Sequence, residues 1–448
     1  TLLSLAKVAL RQRSKVMAII IIVGLLILVL AAVPVAAVLG ILSFVLDHIS
    51  MGGSLTPALA EIYWDKSKEF ILVAVPMFIL LGEIMLRAGI AQRMYGAVIQ
   101  WISWLPGGLM HANIGSCTIF AASSGSSVAT AATVGTVAYP EIEARGYNER
   151  LFLGSLAAGG TIGILVPPSI NLIIYGLLTD TSVPELYLAG IIPGIVLSSL
   201  FMLAIFVACI YRPAWGGTKV ETTWAQRIKC LPDLLPPILL FMAVVGSIYG
   251  GIATPTEAAS IGVCMAVLIA AYFKTLNWEM MKAAFEGTMR TTAMIMLIVF
   301  AAIFLNFVLG FMGITQAMLN FIRDMGLTPV QTVLLIIVFY LFLGMFMETL
   351  SMMLTTVPIV FPIIMALGVP EFSDVWFGIL ITLLMEAALI TPPIGVNLYV
   401  IQGIRLRGGE FNDVAIGAIP FLIAMLGMIL LLVAFPNIAT WLPTLVYH

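Results

Sequence analysis

Charged residues are scarce in this chain of 448 residues, since only 9% are Asp, Glu, Lys or Arg whereas 62% are hydrophobic. A soluble core of this length has no use for so much apolar sequence, so the composition excludes a water-soluble protein. Apolar runs near the ~20 residues that cross a bilayer recur from end to end, and no polar block is long enough to form a soluble domain. The sequence therefore predicts one polytopic body in a lipid bilayer.

Cysteine and histidine are also rare, with four and three residues, and no Cys-x-x-Cys spacing occurs. This pattern indicates neither a metal site nor a disulfide framework. No basic cluster suggests a nucleic acid partner, and no Gly-x-x-x-x-Gly-Lys-Ser/Thr loop is present for ATP. An intramembrane serine hydrolase is a remote alternative, in which Ser124 or Ser126 would be the nucleophile and His111 the base.

Two polar segments divide the chain. Residues 1–15 form a basic amino-terminal stub without a cleavage signature, which predicts a cytoplasmic amino end. Residues 212–233 are the longest polar stretch and lie near the midpoint, so we interpret them as an interfacial linker between residues 16–211 and residues 234–448.

These two halves resemble each other. The segment around Pro167-Pro168 matches the segment around Pro392-Pro393, and residues 89–94 match residues 313–318 at nearly the same offset. Two interrupted regions recur in each half, one rich in hydroxyl residues and one broken by the double proline. Because separate matches at one offset rarely arise by chance, we expect an internal duplication.

The basic loop residues change sides between the halves. The loop at 141–150 contains Arg145 and Arg150, whereas its counterpart at 368–374 has no Lys or Arg. After the double prolines the order reverses, because the second half has Arg405 and Arg407 where the first has no basic residue. Basic loops favour the cytoplasm, so the pattern predicts inverted repeats. Inverted pairs of interrupted segments are typical of secondary transporters that bind substrate and ions near the midplane.

Oxygen ligands are available in both interrupted regions. A desolvated sodium ion needs about five or six oxygens. Hydroxyls of residues 123–130 can supply them, together with carbonyls that the double proline frees around Gly163 and Val166. The alternative is that small residues here only allow close helix packing. In the second half Thr349, Ser351, Thr355 and Thr356 recur near Thr391. Asn171 and Asn397 follow the prolines, and each either faces a solute or caps a restarted helix.

Four glutamates lie at or near membrane depth, where an acidic residue is a functional candidate. Glu83 has Arg87 one turn on, which favours a structural ion pair. Glu257 follows Thr254-Pro255 and completes a helix capping box. Glu348 and Glu386 have no such explanation, so attraction of cations or coupling to protons stays open for both.

Several motifs together resemble the large membrane subunit of tripartite ATP-independent periplasmic (TRAP) transporters. They are Ser-Ser-Gly-Ser-Ser-Val-Ala-Thr-Ala-Ala (123–132), Arg-Gly-Tyr (145–147), Gly-Ile-Leu-Val-Pro-Pro-Ser-Ile (163–170), Gly-Ile-Ala-Thr-Pro-Thr-Glu-Ala-Ala (251–259) and Ile-Thr-Pro-Pro-Ile-Gly (390–395). The resemblance covers residues 16–436. It implies an ion-transporter fold of elevator type, with two re-entrant hairpins at about 112–140 and 345–365 and broken helices at about 150–180 and 375–403.

The resemblance also implies partners and sites. The partners are a small four-helix membrane subunit and a periplasmic substrate-binding protein. In family members in which the small subunit is fused to the large one, a helix joins the two, and the basic stub at 1–15 resembles such a linker. No cofactor other than coupling Na⁺ is expected. The implied first sodium site is Ser124, Ser126, Gly163, Val166 and Pro168. The second, which leans on repeat symmetry, is Thr349, Ser351, Leu389, Thr391, Pro393 and Gly395. Expected substrate contacts are Ser123, Ser127, Thr130, Asn171, Thr355, Thr356 and Asn397.

The expected function is therefore sodium-coupled import of an organic anion, such as sialic acid or a C4-dicarboxylate, across a bacterial inner membrane. The amino end is expected in the cytoplasm and the carboxyl end in the periplasm. A stand-alone sodium/anion symporter of related architecture, with no soluble partner, is the main alternative.

Overall fold

The computed structural model describes residues 23–24, 27–28, 31, 33–218, 220, 222–405 and 408–447. The basic stub at 1–15, Arg407 and His448 lie outside the described residues, and so does the side chain of Ser123. Within the described ranges the structure is helical, apart from connecting segments and an isolated β-bridge between Tyr147 and Gly216. The prediction of an all-α chain is confirmed.

The first half contains helices of very different length. They are Val35–Met51, Leu59–Ser67, Ala74–Arg87, Ile90–Ile102, Leu109–Ser124, Ser127–Ala138, Glu141–Arg145, Glu149–Thr161, Ile170–Thr179 and Val183–Tyr211. Short 3₁₀ turns occur at Thr56–Ala58, Phe70–Val73 and Ile162–Ile164. The predicted linker contains the 3₁₀ turns Pro213–Trp215 and Leu231–Asp233 and the helix Trp224–Lys229.

The second half also contains both short and long helices. They are Leu235–Tyr249, Pro255–Tyr272, Trp278–Phe311, Ile314–Asp324, Pro329–Gly344, Thr349–Met365, Asp374–Leu389, Val396–Gly403, Phe411–Ala434 and Asn437–Tyr447. In the described part of the chain, five helical segments are long and apolar enough to cross a bilayer, and a pair bent by 44° at 224–249 would make a sixth. A multi-pass membrane protein is thereby confirmed.

The order of elements repeats between the halves. Helices Glu149–Thr161 and Asp374–Leu389 begin 225 residues apart (374 − 149), and after each one the chain passes a proline pair and forms a second helix. We call Glu149–Thr179 broken helix 1 and Asp374–Gly403 broken helix 2. Gly89 and Gly313 also match, because each has positive φ immediately before a helix. This order of elements agrees with the predicted duplication.

Contacts at the two ends of the broken helices show that the repeats are inverted. Arg405, just after broken helix 2, has its Nη2 2.6 Å from Oε1 of Glu149, at the start of broken helix 1. At the other end, the hydroxyl of Tyr175 donates to the carbonyl of Asp374 at 2.7 Å. The end of each broken helix therefore lies beside the beginning of the other, as the charge pattern predicted.

Two helical hairpins flank the broken helices. Hairpin 1 consists of Leu109–Ser124 and Ser127–Ala138, and hairpin 2 consists of Pro329–Gly344 and Thr349–Met365. Every arm has 17 residues or fewer, which is less than the ~20 that cross a bilayer. Hairpin 2 begins earlier than the expected 345–365, because its first arm is uniformly apolar and is indistinguishable from a membrane span in the sequence.

The broken helices form the centre of the molecule. Every residue from Val375 to Leu389 is buried. A helix at the lipid boundary would expose one face, so this helix is surrounded by protein on all sides. On broken helix 1, Gly154 lies against the backbone of Gly417, and Gly417 lies against the carbonyl of Arg150. The absence of a side chain at both positions lets helices Glu149–Thr161 and Phe411–Ala434 approach at backbone distance.

Candidate functional site

The tip of hairpin 1 gathers hydroxyl groups around one sharp turn. Gly125 ends the first arm with φ of 59°, a left-handed conformation that glycine adopts without steric cost. Ser126 is extended and caps the second arm, because its Oγ accepts from the Ala129 amide at 3.4 Å. Thr130 Oγ1 lies 2.7 Å from Ser124 Oγ and donates to the Ser126 carbonyl, also at 2.7 Å.

The break in broken helix 1 packs directly against this tip. A Cβ on Gly163 would lie 2.9 Å from the carbonyl carbon and oxygen of Ser126. A Cβ on Gly125 would lie 2.8 Å from the carbonyl oxygen of Pro168. The structure thus brings four of the five residues expected at the first sodium site into one place. The side chain of the fifth, Val166, lies against Gly194 on the long helix Val183–Tyr211.

The double proline explains why carbonyls are available there. Pro167 has no N–H, so it cannot donate to the carbonyl of Gly163 as a helix would require. The carbonyl of Ile164 instead accepts from the hydroxyl of Ser169 at 2.5 Å. Ser169 then caps the restarted helix Ile170–Thr179, since its Oγ accepts from the Leu172 amide at 3.4 Å. Hydroxyls and interrupted backbone therefore meet in a protein-covered site, where hard cations find oxygen ligands.

The tip of hairpin 2 differs because a carboxylate organises it. Glu348 caps the second arm and accepts from the Ser351 amide at 3.1 Å, the Ser351 hydroxyl at 3.1 Å and the Thr349 hydroxyl at 3.0 Å. Two of the three hydroxyls expected at the second sodium site, those of Thr349 and Ser351, are therefore bound to one carboxyl group. Sequence reasoning singled out Glu348 as a cation attractor but missed its capping role.

Broken helix 2 approaches hairpin 2 through small residues. Gly344 ends the first arm of the hairpin against Ala388 on broken helix 2. Thr391 donates to the Ala387 carbonyl at 2.6 Å, and Gly395 has φ of 42° at the start of Val396–Gly403. Among the described residues, no hydrogen bond joins Thr391, Pro393 or Gly395 to Thr349 or Ser351. Leu389 is buried at the end of its helix.

Most of the expected substrate contacts are buried and already bonded within the protein. Ser127 donates to the Thr161 carbonyl at 3.0 Å, Thr355 donates to the Ser351 carbonyl at 2.7 Å, and Thr356 lies 2.5 Å from the Tyr340 hydroxyl. Two side-chain amides each have one polar atom without a hydrogen-bond partner in the described chain. Asn171 has an unpartnered Nδ2, and Asn397 has an unpartnered Oδ1 while its Nδ2 donates to the Ala157 carbonyl at 3.1 Å.

Structural interpretations of two other glutamates are confirmed. Arg87 Nη2 lies 3.0 Å from Glu83 Oε2. The Glu257 carboxylate accepts from the Thr254 amide at 2.8 Å, while Thr254 Oγ1 accepts from the Glu257 amide at 3.4 Å. Both carboxylates thus have local roles in helix stability.

The geometry excludes His111 as a base for Ser124. His111 Nε2 is 2.8 Å from the Pro106 carbonyl oxygen. It lies at the opposite end of the first arm of hairpin 1, 13 residues (124 − 111) from Ser124, which corresponds to ~20 Å along a helix. Tyr147 anchors the same end by accepting from the Leu109 amide at 3.0 Å. Burial raises the pKa of the Tyr147 hydroxyl, so this anchor stays protonated near neutral pH.

Comparison with known families accounts for this arrangement. The family described as "Tripartite ATP-independent periplasmic transporter, DctM component" matches residues 22–438. The chain belongs to this family. It is therefore the large permease subunit of a TRAP transporter, and the family resemblance drawn from its motifs is confirmed.

Individual relatives cover nearly the whole chain. The C4-dicarboxylate TRAP transporter large permease protein DctM of Vibrio cholerae is 30% identical over 95% of this chain and 96% of its own length. The ectoine TRAP transporter large permease protein TeaC of Halomonas elongata is 33% identical, over 84% of this chain and 87% of its own. The sialic acid TRAP transporter large permease protein SiaM of V. cholerae is 30% identical with the same two coverages.

A solved structure supports the fold. The YdaH transporter of Alcanivorax borkumensis, described as having an unusual topology, matches with a TM-score of 0.62 over 93% of this chain and 99% of its own. Its sequence is 15% identical, so the similarity concerns the fold alone. The TRAP permease thus shares its helical architecture with a second transporter of very different sequence.

Proposed function

We propose that this TRAP permease imports an organic anion together with sodium ions, and that the tip of hairpin 1 holds one of these ions. The main support for this proposal is that Ser124, Ser126, Gly163 and Pro168 lie together at the break of broken helix 1. A hydroxyl cluster beside interrupted backbone offers the hard oxygen ligands that sodium needs.

The rest of the tip supports the same proposal. No Lys or Arg takes part in the hydrogen bonds of Ser124, Ser126 and Thr130 in the described structure, so no cationic side chain competes for these oxygens. Gly125 and Gly163 keep side chains out of the space where the two backbones meet. A sodium ion would bring positive charge between the dipoles of two interrupted helices near the solute, which attracts an anion to the same place.

The substrate class is an organic solute with a carboxylate. Relatives are named for C4-dicarboxylates, ectoine and sialic acid, and all three solutes carry a carboxyl group. We infer that a periplasmic binding protein chooses and delivers the solute, and that a small membrane subunit completes the permease.

The proposed movement is of elevator type. The hairpins and broken helices pack against one another and would move together as a transport domain. The long helices Val183–Tyr211 and Trp278–Phe311 would belong to or border the static scaffold. Alternating access then exposes the hairpin tips first to one side of the membrane and then to the other.

Uptake into proteoliposomes tests the function. Vesicles would contain this chain and its small subunit, with or without the binding protein, and radiolabelled sialic acid, succinate and ectoine would be offered under an inward sodium gradient. Uptake of one solute that needs both sodium and the binding protein supports the proposal. Equal uptake when choline replaces sodium would overturn the coupling. Sodium-dependent uptake without the binding protein would instead identify a stand-alone symporter.

A further inference from the structure

The carboxyl group of Glu386 has an unusual environment. Its side chain is inaccessible to solvent, and neither of its oxygens has a hydrogen-bond partner in the described chain. The hydroxyl one turn earlier, on Thr382, donates to the Gly378 carbonyl at 2.8 Å and does not reach Glu386. A buried ionised carboxylate without partners is strongly unfavourable, because it loses its hydration and gains nothing in return.

Asp47 is a buried carboxyl group that, in contrast to Glu386, has several hydrogen-bond donors around it. Its side chain is equally inaccessible, but it accepts hydrogen bonds from the Leu55 amide at 3.2 Å, the Thr56 amide at 2.9 Å and the Thr56 hydroxyl at 2.7 Å. These three donors replace the water that the Asp47 carboxyl group loses on burial. Glu386 has none of these contacts, so the two carboxyls differ in their hydrogen bonding and not in their exposure.

No neighbouring charge compensates Glu386 either. The elements packed against helix Asp374–Leu389 include both arms of hairpin 2, both helices of broken helix 1, and the helices Val183–Tyr211, Val396–Gly403, Phe411–Ala434 and Asn437–Tyr447. Their charged residues are Glu149, Arg150, Glu185 and Asp413. Their other titratable residues are Tyr175, Tyr187, Cys209, Tyr211, Tyr340, Tyr399 and Tyr447. The one cation in this set, Arg150, is bound to Asp413 at 2.9 Å.

We propose that Glu386 is a proton-binding site in the second repeat and carries a proton in the conformation described. A proton neutralises the carboxylate without any further ligand, whereas a sodium ion would need about five or six oxygens around it. The site is specific to the second repeat, because the position 225 residues earlier is Thr161, whose hydroxyl donates to the Ala158 carbonyl at 2.7 Å.

Glu386 has no contact with bulk water in the described conformation, because its side chain is inaccessible to solvent. Exchange of its proton with solvent therefore requires a conformation in which the packing around broken helix 2 opens.

Infrared spectroscopy of the purified full chain in vesicles of ether-linked lipids, which have no ester C=O band, tests this assignment without requiring transport. A protonated carboxylic acid has a C=O stretch that is separate from the carboxylate and amide bands and shifts in D₂O. At neutral pH the wild type is expected to show this band, and Glu386→Gln is expected to lose it. Glu371→Gln, which removes an exposed carboxylate, is the matched control and should retain the band.

Each outcome decides the proposal. Absence of a carboxylic acid band from the wild type at neutral pH overturns it, and this measurement needs no variant. A band that persists unchanged in folded Glu386→Gln also overturns it, because another group then carries the proton. A carboxylate band that depends on sodium rather than choline, and disappears in Glu386→Gln, would make Glu386 a sodium ligand instead. These results are independent of whether sodium drives uptake.

Discussion

The side-chain amide of Asn397 donates to the carbonyl of Ala157 at 3.1 Å, across 240 residues of sequence. The bond fastens the restarted half of broken helix 2 to the middle of broken helix 1. Both residues are fully buried. The two inverted repeats are therefore joined inside the bundle and not only at its ends.

Asn397→Ala is expected to lower the stability of the permease by about 1 kcal/mol through loss of this hydrogen bond, in addition to the cost of truncation. Asn171→Ala is the matched control, because Asn171 is also buried but its Nδ2 has no partner in the described chain. Thermal unfolding in detergent measures both. If Asn397 instead contacts the solute, Asn397→Ala would raise the KM for uptake, and its melting temperature would equal that of Asn171→Ala.

Arg405→Ala should destabilise the fold by about 2 kcal/mol or more, because it leaves Glu149 and Asp413 without their buried partner. The Arg405 side chain is 3% exposed and lies 2.6 Å from Glu149 and 3.6 Å from Asp413. Arg150 binds the same aspartate at 2.9 Å, but it is 58% exposed. Arg150→Ala should therefore cost below ~1 kcal/mol. Equal melting temperatures for the two variants would show that burial of Arg405 is unimportant.

Gly154→Ala and Gly417→Ala should each prevent normal packing of the central helices. A Cβ at either position would overlap backbone atoms of the facing helix, and backbone cannot rotate away as a side chain can. Gly427 lies on the same helix as Gly417 and has open space around its Cβ position. Gly427→Ala should be neutral or slightly stabilising, since alanine favours helix. Monodispersity on size-exclusion chromatography and melting temperature check the contrast.

Gly163→Ala should raise the sodium concentration that gives half-maximal uptake. Its Cβ would approach the Ser126 carbonyl to 2.9 Å, and the hairpin tip would have to move. Gly96→Ala provides a control because no atom lies within 4 Å of the corresponding Cβ. Uptake is measured over a range of sodium at constant ionic strength. An unchanged sodium dependence in folded Gly163→Ala would contradict a site at this tip.

Ser126→Ala and Pro168→Ala should weaken sodium dependence while leaving a folded protein. The serine change also removes a helix cap, which costs about 1 kcal/mol. The proline change restores an N–H where the backbone is interrupted. Sodium titrations of uptake, with melting temperatures measured in parallel, separate the two effects. Loss of folding in both variants would favour a packing role for the serine-rich tip.

Sequence reasoning predicted the features that depend on local chemistry. The proline pairs, the serine-rich tip and the Thr254 capping box each contain their signal within a few residues. The inverted repeats were predictable because basic residues change sides between equivalent loops, and the contact of Arg405 with Glu149 agrees with that inference. The meeting of the serine-rich tip with the backbone around Gly163 was expected from the oxygen ligands that both segments offer, and the family motifs named Ser126 and Gly163 individually.

Other features were hidden because they depend on distant partners. The first arm of hairpin 2, Pro329–Gly344, has the same uniform hydrophobicity as a spanning helix, so its boundary was misplaced. Arg405 was interpreted as a loop charge, but its side chain is buried between Glu149 and Asp413. No local pattern reports that Asn397 will meet Ala157, since their neighbours in sequence carry no information about the opposite repeat.

The short hairpin arms have a consequence for how the membrane voltage would act on the proposed transport cycle. Arms of 12 to 17 residues measure roughly 18 to 26 Å, so neither alone covers the ~30 Å of hydrocarbon. In the proposed transport cycle, aqueous space would reach the two tips from opposite faces, and the electrical potential would fall mainly across the thin layer between them. A monovalent ion that crossed this layer would gain about 2.3 kcal/mol per 100 mV. The membrane potential would then act on the short distance around the tips, where a small displacement of ions would perform most of the electrical work of transport.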